Sequence, residues 1–179
     1  MKLVYTAPLR PPADIAALLP HLFLAGPIMG AERWQDRAVS YLQGTPGSFI
    51  LCNPRREIDR EEDFTDLQYE EQVDWETEHL HKAATTGCVL FWLAKEQEHF
   101  CHRAYAQTTR FELGEHFMGL VLSQRLVVGI EPGFSGERYL RHRFKRNGLQ
   151  VDSELQTLCL RASEVCSTLA RRQLDLRWR

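Results

Sequence analysis

The stretch "GCVLFWL", Gly87 to Leu93, carries no polar side chain. A strand with one face in water alternates apolar and polar residues, whereas a strand covered on both faces does not. "GCVLFWL" therefore predicts a strand buried on both sides. "HLFLAGP", His21 to Pro27, is a similar short run ended by Gly26 and Pro27, and "SFILCNP" and "RLVVGIEPG" follow the same pattern. "LVYT", Leu3 to Thr6, adds a short strand that the prolines of "LRPP" stop.

Helical spacing fills the gaps between these runs. "AERWQDRAVSYLQG" repeats Trp34, Ala38, Tyr41 and Leu42 on one face, with Gly44 as the stop. "TDLQYEEQVDWETEHLHKAA" is the clearest helix: Thr65 and Gln68 have capping-box spacing, and Val73, Leu80 and Ala84 continue one face. "TTRFELGEHFMGLVLSQ" reads as another. "DSELQTLCLRASEVCSTLARR" reads as a closing helix, opened by Asp152 or Ser153. Apolar strands separated by helices imply a mainly parallel sheet with helices on both faces. Right-handed crossovers make that a doubly wound α/β sandwich of about five strands. The chain reads as one domain over 1–179, with a core of about 20–135 and a closing helix of about 152–172. In such a fold ligands bind at the carboxyl ends of the strands. Chemistry is therefore expected in "AGPIMG", "NPRRE", the loop from Ala94 to Gln107, and "EPGFSG".

The totals exclude several classes. With 179 residues, 44% hydrophobic, 26% charged and a net charge of −2, the chain is neither disordered nor basic enough for a dedicated nucleic-acid binder. No apolar run is long enough to cross a membrane, and "MKLVYTAPLRPP" lacks the apolar core of a signal peptide. Five cysteines without CxxC spacing read as the reduced thiols of a cytoplasmic protein. His99, Cys101 and His102 lie close together but lack a fourth ligand, so no metal is expected. His79 and His81 read as solvated. The basic run Arg138 to Arg146 reads as a solvated hairpin turned by Asn147-Gly148 rather than a phosphate- or nucleic-acid-binding edge. "RRQLDLRWR" reads as a surface tail, with Trp178 free to dock on a partner subunit.

"QTTRFELGEHF", Gln107 to Phe117, admits two readings of Glu112. With Thr109 as N-cap, Glu112 completes a T-x-x-E capping box, and spacing alone favours this. The other reading uses the same place. The helix follows the third buried strand, so its N-terminus faces the ligand crevice and its dipole keeps the carboxylate ionised. An ionised carboxylate in a partly dry cleft can attack an anomeric carbon.

The ordered set "LFLAGPI … W … NPRRE … YEEQVDWETEHL … VLFWL … TRFELGE … VVGIEPGF" resembles the nucleoside 2-deoxyribosyltransferase-like family over roughly Leu9 to Phe134. The resemblance implies a flavodoxin-like sheet, a small-molecule nucleoside or nucleotide substrate, cleavage of the N-glycosidic bond, no cofactor, and a homo-oligomer in which a neighbour helps close the site. It puts the catalytic glutamate on Glu112 and tips the balance there toward catalysis. It assigns Gly26, Pro27 and Ile28 to the ligand-facing loop after the first buried strand, and Asn53, Arg55 and Arg56 to the loop after the second. Trp92 and Arg110 complete the expected substrate-binding set. Within "QVDWE", Glu76 is expected to orient neighbouring groups. The chain lacks two acidic features of the family: "AATTG" before the third strand has no Asp, and no D-x-G-T run precedes "ELG". The acid that protonates the departing base is left to Glu96, Glu98, Tyr105 or Glu115, with Glu115 and Tyr105 carried as catalytic. The polar side chains of the 94–107 loop make a poor dry lid, so hydrolysis is expected to compete with base exchange. A non-catalytic nucleotide-sensing module is the alternative.

Overall fold

In the computed structural model, residues 2–56 and 64–177 are described, with side chains as far as Arg171. Glu57, which ends "NPRRE", and Trp178 lie outside them. The elements in chain order are β1 (Lys2–Thr6), α1 (Ala13–Leu18), β2 (His21–Ala25), α2 (Trp34–Gly44), β3 (Phe49–Asn53), α3 (Asp66–Thr86), β4 (Cys88–Leu93), α4 (Gln107–Leu122), β5 (Leu126–Ile130), α5 (Glu137–Arg146), β6 (Val151–Asp152) and α6 (Leu155–Arg177).

The six strands form one parallel sheet in the order β1-β3-β2-β4-β5-β6. Without the edge strand β1, the order is the flavodoxin-like 2-1-3-4-5. β2, β3, β4 and β5 are buried at every position, as their apolar runs predict. Alternate residues point to opposite layers. Phe23, Phe91 and Val128 pack under α3, α4 and α5 with Trp75, Leu113 and Phe144. Leu24, Leu90 and Val127 pack under α2 and α6 with Trp34, Leu42 and Leu158. The chain runs from β2 to β3 on one side and then crosses to β4 on the other. The order thus reverses between β2 and β4, where an open α/β sheet leaves a crevice at its carboxyl end.

Four expectations are corrected. A sixth strand, Val151–Asp152, extends the sheet beyond five, and its Asp152 is held by Arg161 Nε at 2.8 Å. The basic run is a helix, not a hairpin: Leu140 and Phe144, one turn apart, face the core. Gly148 ends that helix in the left-handed region at φ 71°, donating to the Lys145 carbonyl at 3.0 Å, as a C-terminal cap does. His79 is buried against Trp75, ring centroids 4.1 Å apart, and is not solvated; His81 is exposed. The closing helix begins at Leu155 and continues to Arg177, through most of the segment read as a tail.

Candidate active site

The crevice opens where β2 and β4 end. Gly26 follows β2 at φ 154°, and a Cβ there would lie 2.3 Å from the Trp92 carbonyl oxygen and 2.7 Å from the Trp34 ring. Only glycine allows this crossing over the end of β4. Trp34 Nε1 donates to the Pro27 carbonyl at 2.8 Å and holds the next turn. From the other side comes the loop 94–106. The amides of Gln97 and Glu98 donate to the Gly30 carbonyl at 2.7 and 3.1 Å, and Tyr105 Oη donates to the Ala94 carbonyl at 2.7 Å. The long loop is therefore pinned to the β2 loop by backbone bonds, while Glu96, Gln97, Glu98, His99 and His102 stay exposed.

Gly26, Pro27, Ile28, Arg56, Tyr105 and Glu112 all line this crevice, as does Glu96. Asn53, Arg55, Trp92, Arg110 and Glu115 do not. Asn53 Oδ1 accepts the Arg55 amide at 3.0 Å and shapes the turn after β3. Arg55 is buried and reaches the Glu32 carbonyl and Gln35 Oε1, both at 3.3 Å, so it braces the start of α2. Trp92 points to the α2–α6 layer. Arg110 lies over the Phe134 ring at 4.7 Å and donates to the Ser135 carbonyl at 2.8 Å, tying α4 to the loop after β5. Glu115 is exposed, one turn beyond Glu112.

α3 supplies wall residues that sequence reasoning passed over: Tyr69, Gln72 and Val73, with Glu76 one turn on. Gln72 is the hinge of a relay. Its Oε1 accepts from Arg56 Nε at 2.5 Å, which turns its amide nitrogen toward the Pro54 carbonyl (2.8 Å) and Glu76 Oε1 (2.6 Å). Arg56 also pairs with Glu71 at 2.9 Å. The signal available in the sequence is the i, i+4 spacing of Gln72 and Glu76 within "QVDWE", which puts two polar groups on one helix face beside a buried Trp75.

Glu112 is not a capping residue. α4 begins at Gln107, its N-cap is Ala106 at φ 56°, and Thr109 is buried in the first turn. Glu112 falls in the second turn and lines the crevice. Its carboxyl is pushed up to about 8, first by burial, then by the charges of Glu76 and Glu115. The expectation of a carboxylate kept ionised by the helix dipole is thus reversed: loss of water outweighs the dipole, which is weak beyond the first turn. Burial, followed by Glu131 and Glu96, pushes the Tyr105 phenol above its ordinary range, so it keeps its proton and stays a donor. Among the described residues, no group of three or more His, Cys, Asp or Glu is placed to hold a metal ion, and no helix is long and apolar enough to cross a membrane.

A family model described as nucleoside 2-deoxyribosyltransferase like matches residues 20–134, more than half of the chain. The chain belongs to the nucleoside 2-deoxyribosyltransferase-like family. No curated protein matches it. The match runs from just before β2 to Phe134, and so takes in both loops at the switch point, the α3 wall and the Glu112 turn of α4. In this family member the segment that shapes the crevice is the segment that carries the likeness; α1, α5 and α6 lie outside it.

Proposed function

We propose that this family member cleaves the N-glycosidic bond of a nucleoside or nucleotide bound in the β2–β4 crevice, with Glu112 as nucleophile. The observation that carries the reading is the pair of carboxyls from different helices, Glu112 on α4 and Glu76 on α3, close enough for one charge to raise the other's proton affinity. Like-charged carboxyls in a cleft share a proton. The Gln72 amide donates to Glu76, and Glu112 is the carboxyl whose proton affinity is raised, so this reading puts the resting proton on Glu112. As the bond to the base stretches, positive charge grows on the sugar and draws the negative charge to Glu112, while the proton passes to Glu76. A Glu112 oxygen bonds to C1′, the C1′–N pair leaves with the base, and Glu76 protonates the leaving nitrogen. Water then attacks C1′, giving its proton to Glu76; the ester bond breaks and Glu112 is released as the carboxylate. The exposed polar side chains of the 94–106 loop support water as the second nucleophile over a second base.

The test separates the two carboxyls. Glu112→Gln is expected to abolish release of the base from every substrate. Glu76→Gln is expected to slow natural nucleosides by about 10²–10⁴, yet spare an aryl 2-deoxyriboside whose phenolate leaves without a proton. Loss of both activities in Glu76→Gln would remove it from the acid role. A new nucleoside formed faster than free sugar when a second base is added would make the enzyme a transferase. Thermal stabilisation by nucleosides without any base release would make the chain a binding module. We also place this enzyme in the cytoplasm, which its five free cysteines support. We further propose that it works as a homo-oligomer, which the apolar side chains exposed on α4 beside the crevice support.

A further inference from the structure

Gln72 stands in the crevice wall, yet its amide is committed to the protein around it. The residue is 8% exposed, in the second turn of α3. Chemistry decides which end of the amide faces which neighbour. Arg56 Nε can only donate, so the atom 2.5 Å from it is Oε1. The Pro54 carbonyl can only accept, so the atom 2.8 Å from it is the amide nitrogen. That nitrogen carries two hydrogens. One goes to Pro54 and the other to Glu76 Oε1 at 2.6 Å. Both donors are spent inside the protein, and none is left to read a bound base.

The amide is thus clamped between the loop after β3, which supplies Pro54 and Arg56, and its own helix, which supplies Glu76. Arg56 is held in turn. Its Nη2 pairs with Glu71 at 2.9 Å, and its guanidinium lies 5.5 Å from the centre of the Phe64 ring. A charged donor on Oε1 strengthens the donation from the nitrogen, because hydrogen bonds in a chain polarise one another. Glu76 can keep this bond in both protonation states. Oε1 accepts as part of a carboxylate, and it accepts as the carbonyl oxygen of a carboxylic acid. The exchangeable proton is then placed on Oε2. The other charged or titratable side chains bordering the crevice are Arg56 from the β3 loop, Glu96, Arg103 and Tyr105 from the 94–106 loop, Tyr69 from α3 and Glu112 from α4.

We infer that Gln72 is a positioning residue: its amide fixes Glu76 so that Oε2 takes the proton from Glu112 and hands it to the leaving nitrogen. The inference rests on the acid role proposed above for Glu76. One proton moves, from Glu112 to Glu76 Oε2 and then to the base, and Gln72 keeps both of its hydrogens throughout.

Gln72→Met, equal in length and without donors, tests this in the full chain. Carboxyl ¹³C NMR of glutamate-labelled protein reads the Glu76 titration, with Glu76→Gln identifying the signal. Its midpoint is expected to rise by about one pH unit, because the lost donor favoured the charged form. On nucleosides kcat is expected to fall about tenfold or more with KM little changed. An aryl 2-deoxyriboside, whose phenolate leaves without a proton, is expected to react at the wild-type rate. Gln72→Glu keeps an acceptor for Arg56 and sets a charge beside Glu76, so it is expected to raise the midpoint further. Circular dichroism and a thermal melt establish that each variant is folded. A folded variant whose Glu76 midpoint is unmoved, or which slows both substrates equally, would overturn the inference and leave the acid role of Glu76 standing. Release of base from nucleosides by Glu76→Gln at the wild-type rate would remove the acid role, and this inference with it.

Discussion

Two pairs of titratable side chains share helix α3 and differ in everything that matters for chemistry. At the carboxyl end of the sheet, Glu76 and Glu112 line one crevice and the charge of Glu76 acts on Glu112. At the amino end, three residues further along α3, His79 meets His21, with ring centroids 6.5 Å apart. Burial is the first cause of the shift in both places and acts on opposite charges. It pushes the Glu112 carboxyl up to about 8 and the His21 imidazole down to about 4, aided there by Lys82 and His79. Burial thereby favours the neutral form of the Glu112 carboxyl and of the His21 imidazole. The histidines sit in the packed core, where their Nε2 atoms face no polar partner among the described residues, and no ligand can enter. The glutamates border a crevice. A perturbed group becomes a functional candidate only where something can reach it, and the sheet's switch point supplies that access at one end alone.

The strongest way to break the comparison is Glu112→Gln. Turnover is expected to fall by at least about 10³ with the circular dichroism spectrum unchanged. A folded variant with wild-type turnover would put Glu112 with the buried histidines, as a group shifted by burial and nothing more. The next test is the pH profile. A pair that must hold one proton loses activity as pH rises through about 8, the value to which Glu112 is pushed. With an aryl 2-deoxyriboside as substrate, Glu76→Gln removes the like charge, so the Glu112 ionisation seen in the profile moves below 8. An activity that rises through 8 would mean that Glu112 acts alone as the carboxylate and the acid lies elsewhere.

The two ends are also expected to respond oppositely when stability is followed against pH. Glu112 binds its proton more tightly folded than unfolded. Its contribution is therefore complete below its ordinary value near 4.5 and is lost as pH rises through about 8. His21 binds its proton less tightly when folded. Its contribution is complete above 6.5 and is lost as pH falls through about 4. Chemical denaturation across that range should show Glu112→Gln flattening the alkaline slope and His21→Phe flattening the acid one. The smallest effects concern the arginines. Arg55→Ala should lower stability by about 1–3 kcal/mol by leaving its buried carbonyl and amide partners unmet, and should raise KM equally for a nucleoside and its 5′-monophosphate. A selective rise for the monophosphate would return Arg55 to phosphate binding.

Much of the fold was legible in the residues. Strands covered on both faces must be apolar throughout, so "HLFLA", "FILCN", "CVLFWL" and "LVVGI" declared themselves, as did the capping box of Thr65 and Gln68, present in α3. β6 was hidden because two residues carry no period, and one of them is an aspartate whose burial Arg161 and Gln150 make tolerable. Asn147-Gly148 was misread because the same left-handed glycine ends a helix as readily as it turns a hairpin. The 3.6-residue spacing of Leu140 and Phe144 held the better signal. At the site, Gly26, Pro27, Ile28, Arg56, Tyr105 and Glu112 were legible from their places after strands and from family likeness. Gln72 and Glu76 were harder to read because a polar helix face looks the same whether water or a second carboxylate lies beyond it.

The sequence by itself settled a parallel α/β sheet and its switch-point loops, because periodicity and glycine placement are local properties. Only the tertiary structure decided that Glu112 carries a raised proton affinity, that Arg55 and Trp92 turn away from the crevice, and that His79 is core. Each of those depends on which distant residue comes alongside. The Glu76 charge reaches Glu112 from another helix, and the water that burial removes from Glu112 is displaced by the packing of α3 and α4 against one sheet.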